Sequence, residues 1–120
     1  GRSVDQQGLL FDSVDADAMT LASLFEYMIG NTDMSLYKLH NITVVRDSHG
    51  VQYPVPYDFD YSGLVNARYA IPAATLNLAS VRDRLYRGPC RTVAELEPVL
   101  AHVNGLREQV LGVFDAVPGL

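Results

Sequence analysis

The sequence has few of the residues that several kinds of site require. It contains no tryptophan and a single cysteine, Cys90. One cysteine cannot form an internal disulfide, and it cannot supply the cysteine cluster of a structural zinc site. The histidines at 40, 49 and 102 show no His-x-His or His-Glu-x-x-His spacing. A zinc site is therefore disfavoured.

Positive charge is also scarce, and no apolar run is long. Nine Lys and Arg residues against 14 Asp and Glu give a net charge of −5. Nucleic acid binding needs clustered cations and is disfavoured, since only the arginines at 82, 84, 87 and 91 lie close together. Charged residues interrupt the apolar runs, so no segment is expected to span a membrane. Nothing in the composition assigns a cellular compartment.

The residue patterns predict an α+β fold that begins with an amphipathic helix. After a loose entry segment at 1–14, Asp15 or Asp17 can cap this helix, and Gly30-Asn31 can end it. Its apolar stripe is expected at Leu21, Leu24, Phe25, Met28 and Ile29.

A β-hairpin is predicted next, within a segment 15–63 that combines the helix and an acidic hairpin. Residues 42–45 are β-branched throughout, which is typical of a strand. Residues 51–57 continue an extended pattern, and their two prolines mark an edge strand or a strand that leaves the sheet. A four-residue turn at 47–50 joins the strands.

The length of this turn predicts the register of the hairpin. If Arg46 pairs with Val51, antiparallel geometry places Asn41 opposite Pro56. Asp58 then leaves the base of the hairpin beside Asn41.

The remainder is predicted to be irregular and then helical. Residues 64–79 are expected to form a functional loop rather than a linker. Within the helical segment 80–120, residues 80–87 are expected to form a short basic helix on a solvated face. Thr92-Val93-Ala94-Glu95 is a capping box that opens a second helix, and a break is expected at Asn104-Gly105.

Four oxygen-bearing side chains are expected to gather at the base of the hairpin. Asp33 lies in the loop that leads to this end, Asn41 precedes the first strand, and Asp58 and Asp60 follow the second. Carboxylate and amide oxygens suit a hard divalent cation, which in turn neutralises phosphate esters. The pattern favours metal-assisted phosphoryl transfer, with Asp33 as the catalytic Asp and Asn41, Asp58 and Asp60 as metal ligands.

A structural role is the alternative for each of these side chains. Asp and Asn are common in turns and helix caps because their side chains bond nearby backbone groups. The corresponding alternative function is a non-catalytic domain that binds a metal or a protein partner.

The same region resembles part of the C-lobe of atypical protein-kinase-like enzymes, including spore-coat CotH-type and small-molecule kinases. The resemblance covers roughly residues 18–63: a helix, an Asp loop ending in His40-Asn41, a hairpin and Asp58-Phe59-Asp60. The pattern GNTD…HN…PVPYDFDYSGLVNARYA is also similar to a family of uncharacterised bacterial proteins. The kinase resemblance implies Mg²⁺ (or Mn²⁺) and ATP as cofactors and an unknown phosphate acceptor. It also implies that Lys38 is the catalytic-loop lysine and binds the cofactor.

The chain departs from the typical protein-kinase pattern in two respects. Seven residues separate Asp33 from Asn41, where typical protein kinases have four. No Gly-rich loop or strand-borne Lys precedes the motif. We therefore expect residues 1–120 to be a single domain, either a fragment of a longer kinase-like protein or an inactive C-lobe remnant. The missing N-terminal half would enclose ATP, and the isolated chain is expected to be inactive.

Overall fold

A computed structural model describes residues 1–119 and confirms the α+β class. Its regular elements, in chain order, are β1 (Arg2–Ser3), α1 (Ala16–Ile29), β2 (Ile42–Arg46), β3 (Gln52–Pro56), α2 (Val93–Gly105) and α3 (Arg107–Asp115). The chain divides into two compact units, Gly1–Pro89 and Cys90–Leu120. The first unit holds the sheet, α1 and every candidate site residue.

The predicted ends of α1 are confirmed. Asp15 Oδ2 accepts a hydrogen bond of 2.9 Å from the Ala18 backbone N–H, so Asp15 is the N-cap. Gly30 ends the helix in the left-handed region, with φ of 70°, a conformation that glycine adopts without steric cost.

The predicted apolar stripe of α1 is largely wrong. Leu21, Phe25 and Met28 are exposed by 37%, 36% and 40%. Ile29 of the predicted stripe is buried. The rest of the buried face consists of Met19 and of small or polar side chains: Thr20, Ala22, Ser23 and Glu26. Hydropathy fails here because buried hydroxyls bond carbonyls one turn earlier in the helix, as Ser23 Oγ does with Met19 O at 2.7 Å.

The predicted hairpin is present, but its register is wrong by one residue. Arg46 pairs with Gln52 rather than with Val51. Asp47 Oδ1 accepts a 2.9 Å hydrogen bond from the Val51 backbone N–H, which holds Val51 in the turn. The connection therefore spans residues 47–51 and is one residue longer than predicted.

The corrected register still brings Asp58 to the base of the hairpin. Asn41 lies opposite Tyr57 rather than Pro56, and the Tyr57 N–H donates a 3.0 Å hydrogen bond to Asn41 O. Because Asp58 follows Tyr57 directly, it leaves the sheet next to Asn41.

The entry segment contributes a third strand that the sequence did not predict. Arg2 and Ser3 pair antiparallel with the end of β2, giving the sheet order β1-β2-β3. β3 is therefore an edge strand, as its prolines indicate. The core of this unit lies between the sheet, α1 and the following loop, and consists of Val14, Met19, Met34, Leu36, Ile42 and Val44.

The helix predicted at residues 80–87 is absent. Asp83 Oδ2 instead accepts a 3.0 Å hydrogen bond from the Ser80 N–H, which makes a turn. Arg84 Nη2 donates to Met28 O at 3.1 Å and ties this segment to α1. Arg84 therefore binds a backbone carbonyl rather than lying on a solvated helical face.

The second unit follows the prediction closely. Thr92 Oγ1 accepts from the Glu95 N–H at 3.3 Å, and Glu95 Oε2 accepts from the Thr92 N–H at 2.7 Å, so the capping box is confirmed. A break is present, but it lies at Leu106, one residue after the predicted Asn104-Gly105, because α2 ends at Gly105 and α3 begins at Arg107. No helix within residues 1–119 is both long and apolar enough to cross a membrane.

Gly63→Ala is expected to destabilise the first unit. A Cβ at Gly63 would lie 2.5 Å from Val81 O and 2.9 Å from Arg82 Cα, both in the backbone. Such overpacking typically costs about 2 kcal/mol. Urea denaturation followed by tyrosine fluorescence measures this loss, because all seven tyrosines precede Cys90.

The matched control is Gly50→Ala, in the hairpin turn. Gly50 has φ of 85° but open space where a Cβ would lie, so only backbone strain of about 1 kcal/mol is expected. Equal losses in the two variants would contradict the steric explanation for Gly63.

Candidate functional site

Asp33, His40 and Asn41 form one hydrogen-bonded group at the base of the hairpin. Asn41 Nδ2 donates to Asp33 O at 2.9 Å and to Asp33 Oδ2 at 3.0 Å. His40 Nε2 lies 2.9 Å from Asp33 Oδ1. Both carboxylate oxygens of Asp33 are thus held by side chains from the other end of its own loop, which fixes the direction of the carboxylate.

The loop between Asp33 and Asn41 is folded back on itself. The Ser35 N–H donates to His40 O at 3.0 Å, and the His40 N–H donates to Ser35 O at 2.9 Å. Leu39 and Asn41, at the end of this turn, have φ values of 50° and 53°, which are uncommon for residues other than glycine. Seven intervening residues therefore do not prevent Asp33 from meeting Asn41.

Asp58 and Asp60 form an acidic pair beside this hydrogen-bonded group. Asp58 has φ of 58°, so the chain turns sharply as it leaves β3. A hydrogen bond with the Asp60 side chain raises the pKa of Asp58, and the charges of Asp60 and Asp33 raise it further. Three carboxyl groups therefore lie within electrostatic range, where a cation would relieve their repulsion.

Asp60 also has a partner outside the acidic pair. Tyr69 Oη donates a 3.0 Å hydrogen bond to Asp60 Oδ2. That hydrogen bond raises the pKa of the Tyr69 hydroxyl. The loop after the hairpin thus supports the position of Asp60.

The donor set fits a hard divalent cation better than zinc. Asp58 offers carboxylate oxygens, and the Asn41 amide oxygen accepts no hydrogen bond from residues 1–119. Such oxygen donors are preferred by Mg²⁺ and Mn²⁺. In the part of the chain that the structure describes, no three His, Cys, Asp or Glu side chains are already grouped as a metal site.

Lys38 lies outside the hydrogen-bonded group. Its backbone N–H donates to Ser35 Oγ at 3.3 Å, and its side chain is exposed. Within residues 1–119, no hydrogen bond or ion pair joins its ammonium group to Asp33, Asp58 or Asp60. The lysine position implied by the kinase resemblance is therefore not built into this site.

Arg87 is a site neighbour that the sequence did not predict. Its Nη1 donates to Thr32 O at 2.7 Å and to Met34 O at 3.2 Å, so it binds the backbone on both sides of Asp33. A cavity of about 160 Å³ opens here, with Asp33, Tyr61 and Arg87 in its wall. Sequence reasoning placed Arg87 on a solvated helix, and no local pattern indicates these long-range contacts.

Glu26 is a second group that the sequence did not reveal. It lies on the buried face of α1 with 2% exposure, and Asn31 Nδ2 donates to its Oε2 at 2.7 Å. Its Oε1 has no partner among the described residues. Burial raises the pKa of Glu26 to about 7, although the Asn31 hydrogen bond opposes the shift. Glu26 shares a helical spacing of three or four residues with Met19, Ala22 and Ile29. This pattern could have identified it as a buried residue.

Glu26→Gln is expected to flatten the dependence of stability on pH. Because the folded-state pKa of Glu26 is raised from 4.5 to about 7, folding favours the protonated carboxyl. Its stabilising effect is fully present below pH 4.5 and is lost as pH rises through 7, by on the order of 3 kcal/mol. Gln cannot ionise, so the variant should exceed wild type in free energy of unfolding at pH 8.

Urea denaturation at pH 4.5, 6 and 8 measures this effect. Asp12→Asn, at an exposed carboxylate, is the control and should keep the wild-type pH profile. A wild-type profile in Glu26→Gln would show that Glu26 ionises without a folding cost.

Asp60→Asn is expected to lower the pKa of Asp58. The substitution removes the carboxyl that shares a hydrogen bond with Asp58 and one of the charges that oppose its ionisation. Carboxyl ¹³C NMR titration reports the change directly. Asp47→Asn, in the turn at the far end of the hairpin, should leave the Asp58 titration unaltered. If Asp60→Asn does the same, the two carboxyl groups are not coupled.

Comparison with known proteins assigns no family to this chain. No protein-family model, curated protein or solved structure matches it. The kinase-like resemblance therefore remains a hypothesis carried by the residues at the base of the hairpin.

Proposed function

We propose that this chain is a kinase-like phosphotransferase domain, similar to a C-lobe, that uses Mg²⁺ (or Mn²⁺) and ATP. One observation carries the proposal: Asn41 is hydrogen-bonded to Asp33 at the base of the hairpin, and Asp58, 25 positions after Asp33, lies close enough for the Asp33 charge to raise its pKa. This combination of carboxylates and an amide matches the oxygen ligands and the hydroxyl-orienting group that phosphoryl transfer requires.

The metal-binding role falls to the residues that flank the hairpin. Asp58 and the Asn41 amide oxygen would hold the cation, and Asp60 would assist as a second carboxylate. A divalent cation supplies charge neutralisation at the transferring phosphate. Asn41 and Asp58 both have left-handed backbone, with φ of 53° and 58°. Such conformations recur at functional positions.

Asp33 is the residue that would orient the acceptor hydroxyl. His40 and Asn41 hold its two carboxylate oxygens at 2.9 Å and 3.0 Å, so the group is fixed before a ligand arrives. The adjacent cavity gives an acceptor a route to Asp33, with Tyr61 and Arg87 in its wall. Preorganised geometry of this type supplies much of the rate acceleration in phosphoryl transfer.

Enclosure of the nucleotide would come from a missing N-terminal half of a longer parent protein. The exposed side chains of Leu21, Phe25 and Met28 on α1 support this part of the proposal, because they leave apolar surface uncovered. The isolated chain would then bind nucleotide weakly and transfer phosphate poorly or not at all.

A non-catalytic domain that binds a metal or a protein is the second candidate. The position of Lys38 favours it, because no contact joins this lysine to the acidic group within residues 1–119. The same donors would then bind a cation for a structural purpose, without ATP.

Calorimetric titration of Mg²⁺ and ATP into the chain tests both candidates. Wild type is expected to bind Mg²⁺·ATP, and Asp58→Ala should weaken binding at least about tenfold, which corresponds to about 1.4 kcal/mol. Asp12→Ala, at an exposed carboxylate outside the hydrogen-bonded group, should bind as wild type does. Mg²⁺ binding that Asp58→Ala abolishes, with no effect of ATP, would favour the non-catalytic domain. Absence of binding, or equal binding by wild type and Asp58→Ala, would contradict the metal site.

A further inference from the structure

We propose that Glu26 is a positioning residue for Asp33 and that it acts through the side chain of Asn31. The inference rests on the proposed function, since it assigns a purpose to the placement of Asp33. It adds a buried residue of α1 to a site otherwise formed by the hairpin base and its loops.

The first link is the hydrogen bond between Glu26 and Asn31. Asn31 Nδ2 donates to Glu26 Oε2 at 2.7 Å, and both residues are 2% exposed. A bond to a carboxylate at this distance and burial is stronger than a neutral one and poorly replaced by water. It therefore fixes which way the Asn31 amide points.

The second link joins Asn31 to the candidate catalytic residue. Asn31 Oδ1 accepts a 3.2 Å hydrogen bond from the Asp33 backbone N–H. With Nδ2 held by Glu26, the opposite end of the amide is directed toward Asp33. The Asn31 N–H also donates to Glu26 O at 2.8 Å, so the main chain and the side chain of Asn31 are anchored to the same residue of α1.

The third observation is the cost that this arrangement carries. Glu26 Oε1 is buried without a partner among the described residues. A buried unpaired oxygen is unfavourable for stability, and an apolar side chain would fit this face of α1 better. The Glu26 carboxyl group opposes folding, yet it directs the Asn31 amide. This combination indicates a role at the site.

Hydrogen exchange of the full chain at pH 8 tests the relay without nucleotide. Glu26→Leu removes the acceptor, so the Asp33 amide proton should exchange at least about tenfold faster than in wild type. Glu26→Gln keeps an acceptor oxygen and should restore exchange to near the wild-type rate. The Tyr57 amide, which is bonded to Asn41 O, is the internal reference for global unfolding.

The outcomes separate positioning from general support of the fold. Faster exchange confined to Asp33, rescued by Gln, supports the relay. An equal acceleration at Asp33 and Tyr57 would overturn it, as would a wild-type rate at Asp33 in Glu26→Leu. Failure of Mg²⁺·ATP binding would instead count against the proposed function, because the exchange measurement needs no ligand.

A second measurement applies even if Glu26→Leu does not fold. In a His40→Gln background, which removes the imidazole that contacts Asp33, NMR follows the Asn31 side-chain amide and the Asp33 backbone amide. Burial raises the pKa of Glu26 to about 7, so both signals should move with a common midpoint near 7. Glu26→Gln should abolish the transition. Titration of Asn31 alone would show that the relay stops before Asp33.

Discussion

The hydrogen bonds from the Asn41 amide to Asp33 are the contact on which the candidate site depends. Asn41 Nδ2 reaches both the carbonyl and the carboxylate of Asp33, at 2.9 Å and 3.0 Å. These bonds close the loop against the start of β2, and the sheet then determines where Asp58 leaves the hairpin. Without these bonds, the position of the Asp33 carboxylate in the loop would be less well fixed relative to Asp58 at the end of β3. One amide thus joins a local loop structure to a long-range strand pairing.

The parts of the fold that follow local chemistry could be predicted from the sequence. The Asp15 cap, the Gly30 stop, the capping box at Thr92 and the β-branched strand each depend on neighbouring residues. The hairpin register was wrong because the Asp47 side chain bonds the Val51 backbone and lengthens the turn. That bond depends on one side-chain conformation, which turn composition alone does not specify.

The errors in the helices share a different physical cause. The stripe predicted on α1 assumed that the most apolar side chains are buried, yet Ser23 is buried and Phe25 is exposed. Intrahelical hydrogen bonds lower the free-energy cost of burying a hydroxyl. Small polar side chains can therefore pack closely where phenylalanine would not fit. Likewise, Arg84 and Arg87 bind carbonyls more than 50 positions away, contacts that no local pattern encodes. The position of Asp58 next to Asn41 was foreseeable because it needs only the hairpin. The contact of Asp33 with Asn41 depends on how the loop between them folds, and Glu26 and Arg87 required the tertiary structure.

The acidic pair explains how a cation and a proton would compete for the same position. Asp60 beside Asp58 raises the pKa of Asp58, so this carboxyl group holds a proton more readily. A divalent cation bound there would replace that proton, because metal ligands bind in their deprotonated form. Asp33 is different, since donors from His40 and Asn41 already satisfy its oxygens. The two halves of the site are therefore chemically distinct: Asp33 is held ready by hydrogen bonds, whereas Asp58 and Asp60 gain most from a cation. The proposed phosphoryl transfer requires such a division, with one residue that orients a hydroxyl and others that bind a metal.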